Sequence, residues 1–175
     1  MTGRPTATST VPALAPTNGP GKCCDPRQSG HFYVQTDNAE RGTTIITLKP
    51  DNDCECAVLE YAFLTEEVPR QWFGTVFNDF FEVSITAGSN RPAQIQEFVS
   101  SSDSMNGLGL GAFDITPDVA STCCYALNLN LDRNRGLPIT FGISVANAGD
   151  SIFQSAVCGR VHFIKKDGSE CPASK

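Results

Sequence analysis

The sequence predicts an all-β fold, an antiparallel β-sandwich of the jelly-roll type preceded by an extended N-terminal arm. Apolar and polar residues alternate over several short stretches, and no stretch has the apolar spacing of an amphipathic helix. The composition is rich in turn formers, with 15 glycines and 11 prolines. Eleven phenylalanines against two methionines favour short aromatic and β-branched strands between those turns.

The arm comprises residues 1–22, which are rich in Thr, Pro, Ala and Gly and almost uncharged. Such a segment buries too little apolar surface to offset the entropy lost on ordering. We expect either a flexible linker or an arm that docks on a neighbouring subunit. Residues 23–175 are expected to form a single β-sandwich domain, since their number is ample for one core. Residues 1–20 show no hydrophobic segment typical of a signal peptide.

The first strands are expected soon after the arm. His31–Thr36 and Thr43–Leu48 are short and β-branched, and the Asp, Asn and Gly residues between them predict a hairpin. A turn at Pro50–Asp53 leads into Cys56–Leu64, a nearly continuous apolar run typical of a buried strand. Phe81–Thr86 then alternates apolar and polar residues, which predicts a strand with one solvated face.

The second half of the chain continues this pattern. Ile95–Val99 is a further candidate strand, and Ser100–Gly111 is a loop rich in Ser and Gly. The alternation is clearest in Tyr125–Leu131 and recurs in Ile139–Val145 and Val157–Phe163. About eight to ten such strands separated by turns are typical of a sandwich or jelly roll.

Charge and hydropathy exclude two classes of partner. The net charge is −6, and no cluster of Lys and Arg is present to neutralise phosphates, so we expect no nucleic-acid partner. No apolar run approaches the length of about 18 residues that a membrane-spanning helix needs. The acidic balance suits a surface protein or a divalent-cation binder, and it suits ordinary solubility equally well.

Cysteine is the most informative residue type in the sequence. An even number of cysteines in a β-rich chain with 18% charged residues predicts disulfides formed in an oxidising, extracellular or cell-surface setting. A zinc site is the alternative, but Cys-Cys and Cys-x-Cys spacings differ from the usual zinc knuckle. Connectivity stays open. The candidates for disulfide bonding are Cys23, Cys24, Cys54, Cys56, Cys123, Cys124, Cys158 and Cys171.

These bonds can be internal or can join subunits. In a strand, Cys123 and Cys124 would point to opposite faces, which allows one bond in the core and one to a neighbour. Cys54 and Cys56 would share a face and could take bonds from the adjacent pair near the arm, in the same chain or in the next. Head-to-tail contacts of this kind generate filaments.

Catalytic signals are weak. The two histidines, His31 and His162, both fall in predicted strands, where a solvent-facing position is expected. No serine has the glycine pattern of a nucleophile elbow, and the regular pairing of the cysteines does not suggest an activated thiolate. We therefore expect no enzymatic activity.

Acidic and amide residues gather at strand ends. Glu66 and Glu67 close one apolar strand, Asn78 and Asp79 open the next, and Asp150 follows a later one. If these ends converge, their side chains supply the hard oxygen ligands that calcium prefers. The alternative is that acidic residues simply occupy wet turns.

Two blocks of the sequence carry a family resemblance. Thr65–Pro69 with Phe73–Phe81, together with Ile143–Val157, resembles the bacterial choice-of-anchor L domain and related modules of large adhesins. The resemblance covers roughly residues 57–165 and implies a secreted or surface-displayed β-sandwich without catalysis. It also favours the calcium site, although Gln154 stands where the family often has an acid.

These observations predict a non-catalytic extracellular or cell-surface module for binding or adhesion, with a protein or glycan ligand and a possible calcium ion. Trp72 and Phe73, in the loop before Asn78, are the candidates for a contact patch, and they equally suit a lid over the core. The alternative function is a structural subunit of a disulfide-linked filament or coat, which binds copies of itself through the arm.

Overall fold

The structure is a computed structural model that describes residues 21–36, 41–66, 79–88, 95–99, 113–115, 120–122, 124–147 and 154–175. Within these residues the chain forms a short 3-10 turn at Gly21–Cys24 followed by twelve strands. The strands make two sheets, and within each sheet every pair of neighbouring strands is antiparallel. The predicted fold class is therefore confirmed.

One sheet has seven strands and is built around two long central ones. Its order is β1 (His31–Gln35), β10 (Ser155–Ile164), β3 (Cys56–Thr65), β7 (Ala120–Thr122) and β6 (Phe113–Ile115). β8 (Tyr125–Asn130) also pairs with β3, and β11 (Glu170–Cys171) pairs with the end of β10.

The other sheet has five strands. Its order is β12 (Ala173–Ser174), β2 (Arg41–Pro50), β9 (Ile139–Ala146), β4 (Phe80–Ala87) and β5 (Ile95–Val99). The expected hairpin between β1 and β2 is wrong, because β1 pairs with β10 and β2 pairs with β9 in the opposite sheet. Each strand has an apolar inward side, and placing the two in facing sheets buries both sides in one core.

The core lies between the sheets and is dominated by aromatic and branched side chains. Phe63 of β3 stacks on Phe81 of β4 with ring centroids 5.0 Å apart, and Phe141 of β9 meets Phe163 of β10 edge-on at 5.8 Å. Alternate residues of β4 and β9 are fully buried, as their period of two predicts. Interdigitation across the two inner faces holds the sandwich together.

A second, smaller apolar cluster lies on the outer face of the seven-stranded sheet. The 3-10 turn packs there, and Cys23 is buried against Ala62, Leu64 and Ala156. The residues just after the arm are thus fixed to the sandwich.

Candidate functional site

Three disulfides lie within the chain. They join Cys23 to Cys124, Cys24 to Cys158 and Cys54 to Cys171, with Cα atoms 6.1, 5.2 and 6.0 Å apart. The expectation of disulfides in an oxidising environment is supported.

Two geometric expectations about the cysteines are wrong. The adjacent pair Cys23 and Cys24 bonds to Cys124 and Cys158 rather than to the Cys-x-Cys pair, because the 3-10 turn lies over β10 and not beside the turn that holds Cys54. Cys124 follows β7 and precedes β8, so it is not inside a strand. Cys123 lies outside the described residues.

The described residues contain one group with metal-ligand proximity, formed by Asp53, Cys54 and Cys171. Its two sulfurs are bonded to each other, so neither is a thiolate ligand. Cys56 is the free thiol among the described cysteines. It is half-buried at the start of β3, and burial raises the pKa of its thiol.

Polar side chains converge at one end of the sandwich. The inward stripes of five strands end there in a buried or half-buried polar residue instead of an apolar one. We call this set the polar layer, and its members are Thr36, Thr65, Asp79, Asn147 and Ser155.

Hydrogen bonds tie the polar layer together across both sheets. The Ser155 hydroxyl donates to Asp79 Oδ2 at 2.5 Å and lies 2.8 Å from the Thr65 hydroxyl. The Ser155 backbone N–H donates to the Thr36 hydroxyl at 3.0 Å. Asp79 lies opposite Asn147 in the β4–β9 register, which pairs Phe80 with Ala146. The buried Oδ1 of Asn147 has no hydrogen-bond partner among the described residues.

The structure brings part of the predicted site to this end. Asp79 belongs to the polar layer, whereas the Glu66 carboxylate accepts a hydrogen bond from the Gln154 N–H at 3.1 Å and acts on Tyr33 at the outer face of the seven-stranded sheet. Glu67, Asn78, Asp150, Trp72 and Phe73 lie outside the described residues.

Sequence reasoning missed Thr36, Thr65, Asn147 and Ser155. Each continues the period-two inward stripe of its strand by one step, and that continuation is the signal that could have identified them.

An open cleft lies at the edge of the sandwich away from the polar layer. It has a volume of about 750 Å³ and lies where β1, β10 and β11 face β2 and β12. Its floor is apolar and its rim is polar. The floor includes Ile46, Leu48, Val161 and Phe163, and the rim includes His31, His162, Glu170 and Lys175.

An ion-pair network supports the rim. The Arg160 guanidinium donates to Glu60 Oε2 at 2.7 Å and pairs with Glu170 Oε1 at 2.8 Å. It also lies 3.4 Å from His162 Nε2. Arginine is always a donor, so this contact makes Nε2 the acceptor and leaves the proton on Nδ1 of the neutral ring. That buried Nδ1 has no partner among the described residues.

Both rim histidines favour the neutral state. Burial lowers the pKa of His31, and burial together with the neighbouring Arg160 lowers the pKa of His162. At neutral pH the rim therefore offers uncharged imidazole rings.

The described residues contain no helix long and apolar enough to cross a bilayer. No family model and no curated protein matches the sequence.

Several solved structures are similar in part. One is a carbohydrate-binding module specific for non-crystalline cellulose, at 9% identity and a TM-score of 0.42 over 76% of this chain and 73% of that one. Another is from infectious bursal disease virus strain Gx, at 11% identity and a TM-score of 0.33 over 74% of this chain and 29% of that one. A third is the enzymatically active domain of tailspike protein 4 of bacteriophage CBA120, at 8% identity and a TM-score of 0.33 over 76% of this chain and 19% of that one. Similarity this low says nothing about the ligand of this chain.

Proposed function

We propose that this chain is a non-catalytic binding or adhesion module of an extracellular or cell-surface protein, and that its ligand occupies the edge cleft. The cleft is the observation that carries the proposal. Binding sites are typically concave and largely apolar, with a few polar groups that orient the ligand. Here the half-buried Ile46 and Leu48 supply apolar contact area, and His31 and His162 place polar rings at the rim.

The site is better suited to binding than to catalysis. Among the described residues, neither histidine hydrogen-bonds to a serine, threonine or cysteine side chain, which is the contact that activates a nucleophile. The three disulfides suit a module that works outside the cytoplasm. A protein or a glycan is the proposed class of ligand.

Filling the cleft tests this function. Ala173 is exposed and lines the cleft, so Ala173→Trp should block it and weaken binding at least about tenfold, the loss that about 1.4 kcal/mol represents. The measurement is retention of the protein on a panel of immobilised oligosaccharides and peptides. Mass spectrometry of the ligand after binding should show that it is chemically unchanged. Ala126→Trp, at an exposed position on β8 outside the cleft lining, is the matched control. Equal loss in both variants, or no binding to any panel member, contradicts the proposal.

Calcium is proposed as a stabilising ion at the polar layer. The buried Oδ1 of Asn147, without a partner among the described residues, and the buried Asp79 carboxylate lie at opposed positions of the β4–β9 register, and both are hard oxygen ligands. Threonine and serine hydroxyls lie within the same layer. We propose that the chain resembles the choice-of-anchor L domain at these same strand ends. The oxygen ligands present there support a bound calcium ion.

The alternative function is a subunit of a disulfide-linked filament or coat. Cys56 favours it, because this thiol remains unbonded while six other cysteines pair internally. Non-reducing electrophoresis of the purified chain should show disulfide-linked oligomers that collapse with reductant and that lose the Cys56 linkage in Cys56→Ser. A single monomer band before reduction would exclude covalent stapling.

A further inference from the structure

The outer edge of β2 is largely open. On one side β2 pairs with β9 from Arg41 to Leu48. On the other side β12 pairs with Lys49 and Pro50, and within the described parts of the chain no strand pairs with Thr43–Leu48 there. Among the described residues, this side of Thr43–Leu48 therefore has no paired strand at the mouth of the cleft.

The alternation of the strand shows which groups face this open side. The Asp51 N–H donates to the Pro172 carbonyl at 3.4 Å, toward β12. Strand backbone groups alternate in direction, so Thr43, Ile45 and Thr47 point their N–H and C=O groups the same way. In the described structure these backbone groups make no hydrogen bond on that side.

The edge lacks the features that normally prevent strand addition. Thr43–Leu48 contains no charge, no proline and no glycine, and its first five residues are threonine or isoleucine in an uninterrupted β-branched run. Natural edges are usually blunted by charged residues, bulges or very short strands. At the centre of this run, Ile45 is 68% exposed, the highest exposed fraction of any large apolar residue among those described.

The cleft lies directly beside this edge. Ile46 and Leu48 of β2 point inward and form part of the cleft floor. A strand added to β2 would turn every second side chain toward that floor, since side chains alternate between the faces of a sheet. The edge and the cleft thus form one site, in which the backbone supplies hydrogen bonds and the cleft selects the side chain.

Charge favours a separate peptide over a second copy as the occupant. The neutral run is flanked by exposed Arg41 and Lys49, about 26 Å apart along an extended strand. Antiparallel pairing of two copies centred on Ile45 would set Arg41 of one against the position beside Lys49 that Ser174 of the other copy already occupies, so both β12 and the two cationic side chains oppose this register. Acidic residues at the ends of a partner strand would instead complement them.

We infer that the β2 edge binds an extended segment of a partner protein, with an uncharged β-branched centre and an acidic residue near each end. This inference rests on the proposed binding function and narrows its ligand to a peptide strand.

The test uses an acetylated and amidated peptide of alternating valine and threonine with glutamate at both ends. Amide hydrogen exchange of the full chain, read by NMR, should show at least tenfold protection at Thr43, Ile45 and Thr47 on binding. The same peptide with lysine at both ends should bind at least tenfold more weakly. A glutamate-ended peptide with N-methyl groups on alternate amides should not bind.

A variant gives an independent check. Ile45→Pro removes an N–H that makes no ladder bond, a position where edge strands tolerate proline, so it should abolish peptide binding. Ile45→Thr keeps the N–H and should retain binding, and the N-methylated peptide decides the question if the proline variant does not fold.

Absence of binding, or binding without protection of these three amides, would overturn the inference. So would self-association of the chain by sedimentation with the same amides protected, because the occupant would then be a second copy. A glycan that binds and is lost in Ala173→Trp would preserve the proposed function while the peptide result fails.

Discussion

Replacing Cys24 and Cys158 together by serine is expected to lower the free energy of unfolding by about 2–5 kcal/mol. Because Cys23 stays bonded to Cys124, the Cys24–Cys158 bond closes a further loop of about 35 residues between Cys124 and Cys158, which restricts the unfolded state. It also holds the 3-10 turn on the outer face of β10, where Cys23, Ala62 and Leu64 are buried. Loss of the bond should expose that cluster as well as destabilise the domain.

Urea denaturation without reductant measures this effect, and peptide mapping of the unreduced chain checks the connectivity. Cys56→Ser is the matched control, since Cys56 forms no disulfide and its replacement should change stability little. A map that links Cys24 to a cysteine other than Cys158 would contradict the structure. Equal losses in the double variant and in Cys56→Ser would contradict the assigned role of the bond.

Asp79→Ala is expected to lower the free energy of unfolding by about 2–3 kcal/mol. The carboxylate is 3% exposed and accepts the Ser155 hydroxyl, which in turn contacts Thr65 in the seven-stranded sheet. Alanine leaves the buried hydroxyl without its charged acceptor, and hydrogen bonds to charged groups are among the more stabilising ones. Asp79→Asn keeps the shape and one acceptor oxygen, so its loss should be smaller. Asp51→Ala, at an exposed turn, is the control.

Thermal melting with calcium or with a chelator separates an ion site from a structural network. An ion that binds only the folded state at about a hundred times its Kd adds about 2.7 kcal/mol, which raises the Tm by about 5–10 °C. The wild-type chain should show this rise and Asp79→Ala should lose it. An unchanged wild-type Tm would discard the calcium proposal and leave Asp79 as a structural residue. A rise retained in Asp79→Ala would place any ion elsewhere.

Much of the fold was predictable because strand patterning is local. Alternation in Tyr125–Leu131 and Ile139–Val145 predicted β8 and β9 closely, since one face of each must be apolar to reach the core. Ile95–Val99 was predicted with the bounds that the structure gives. The hairpin failed because a short polar connection looks the same whether it joins two strands of one sheet or crosses between sheets.

The candidate site was less predictable. Acidic strand ends indicated Glu66 and Asp79, but Thr36, Asn147 and Ser155 are marked only by continuing the inward stripes of their strands, which does not show that these strand ends meet. They matter because five strands from two sheets stop at the same level, which sequence spacing does not encode. The cleft and the open edge of β2 are likewise products of the tertiary structure, since they depend on where β12 ends beside a strand more than a hundred residues earlier.

The fold class and the alternation of most strands could be read from the sequence, and the even number of cysteines indicated disulfides. The pairing of the cysteines, the free thiol of Cys56 and the cleft bordered by His31 and His162 depend on how the two sheets are arranged in space. The two groups of features differ in the distance along the sequence between the residues that set them. Local pattern sets which face of a strand is buried, whereas pairing and clefts depend on the order in which distant strands meet.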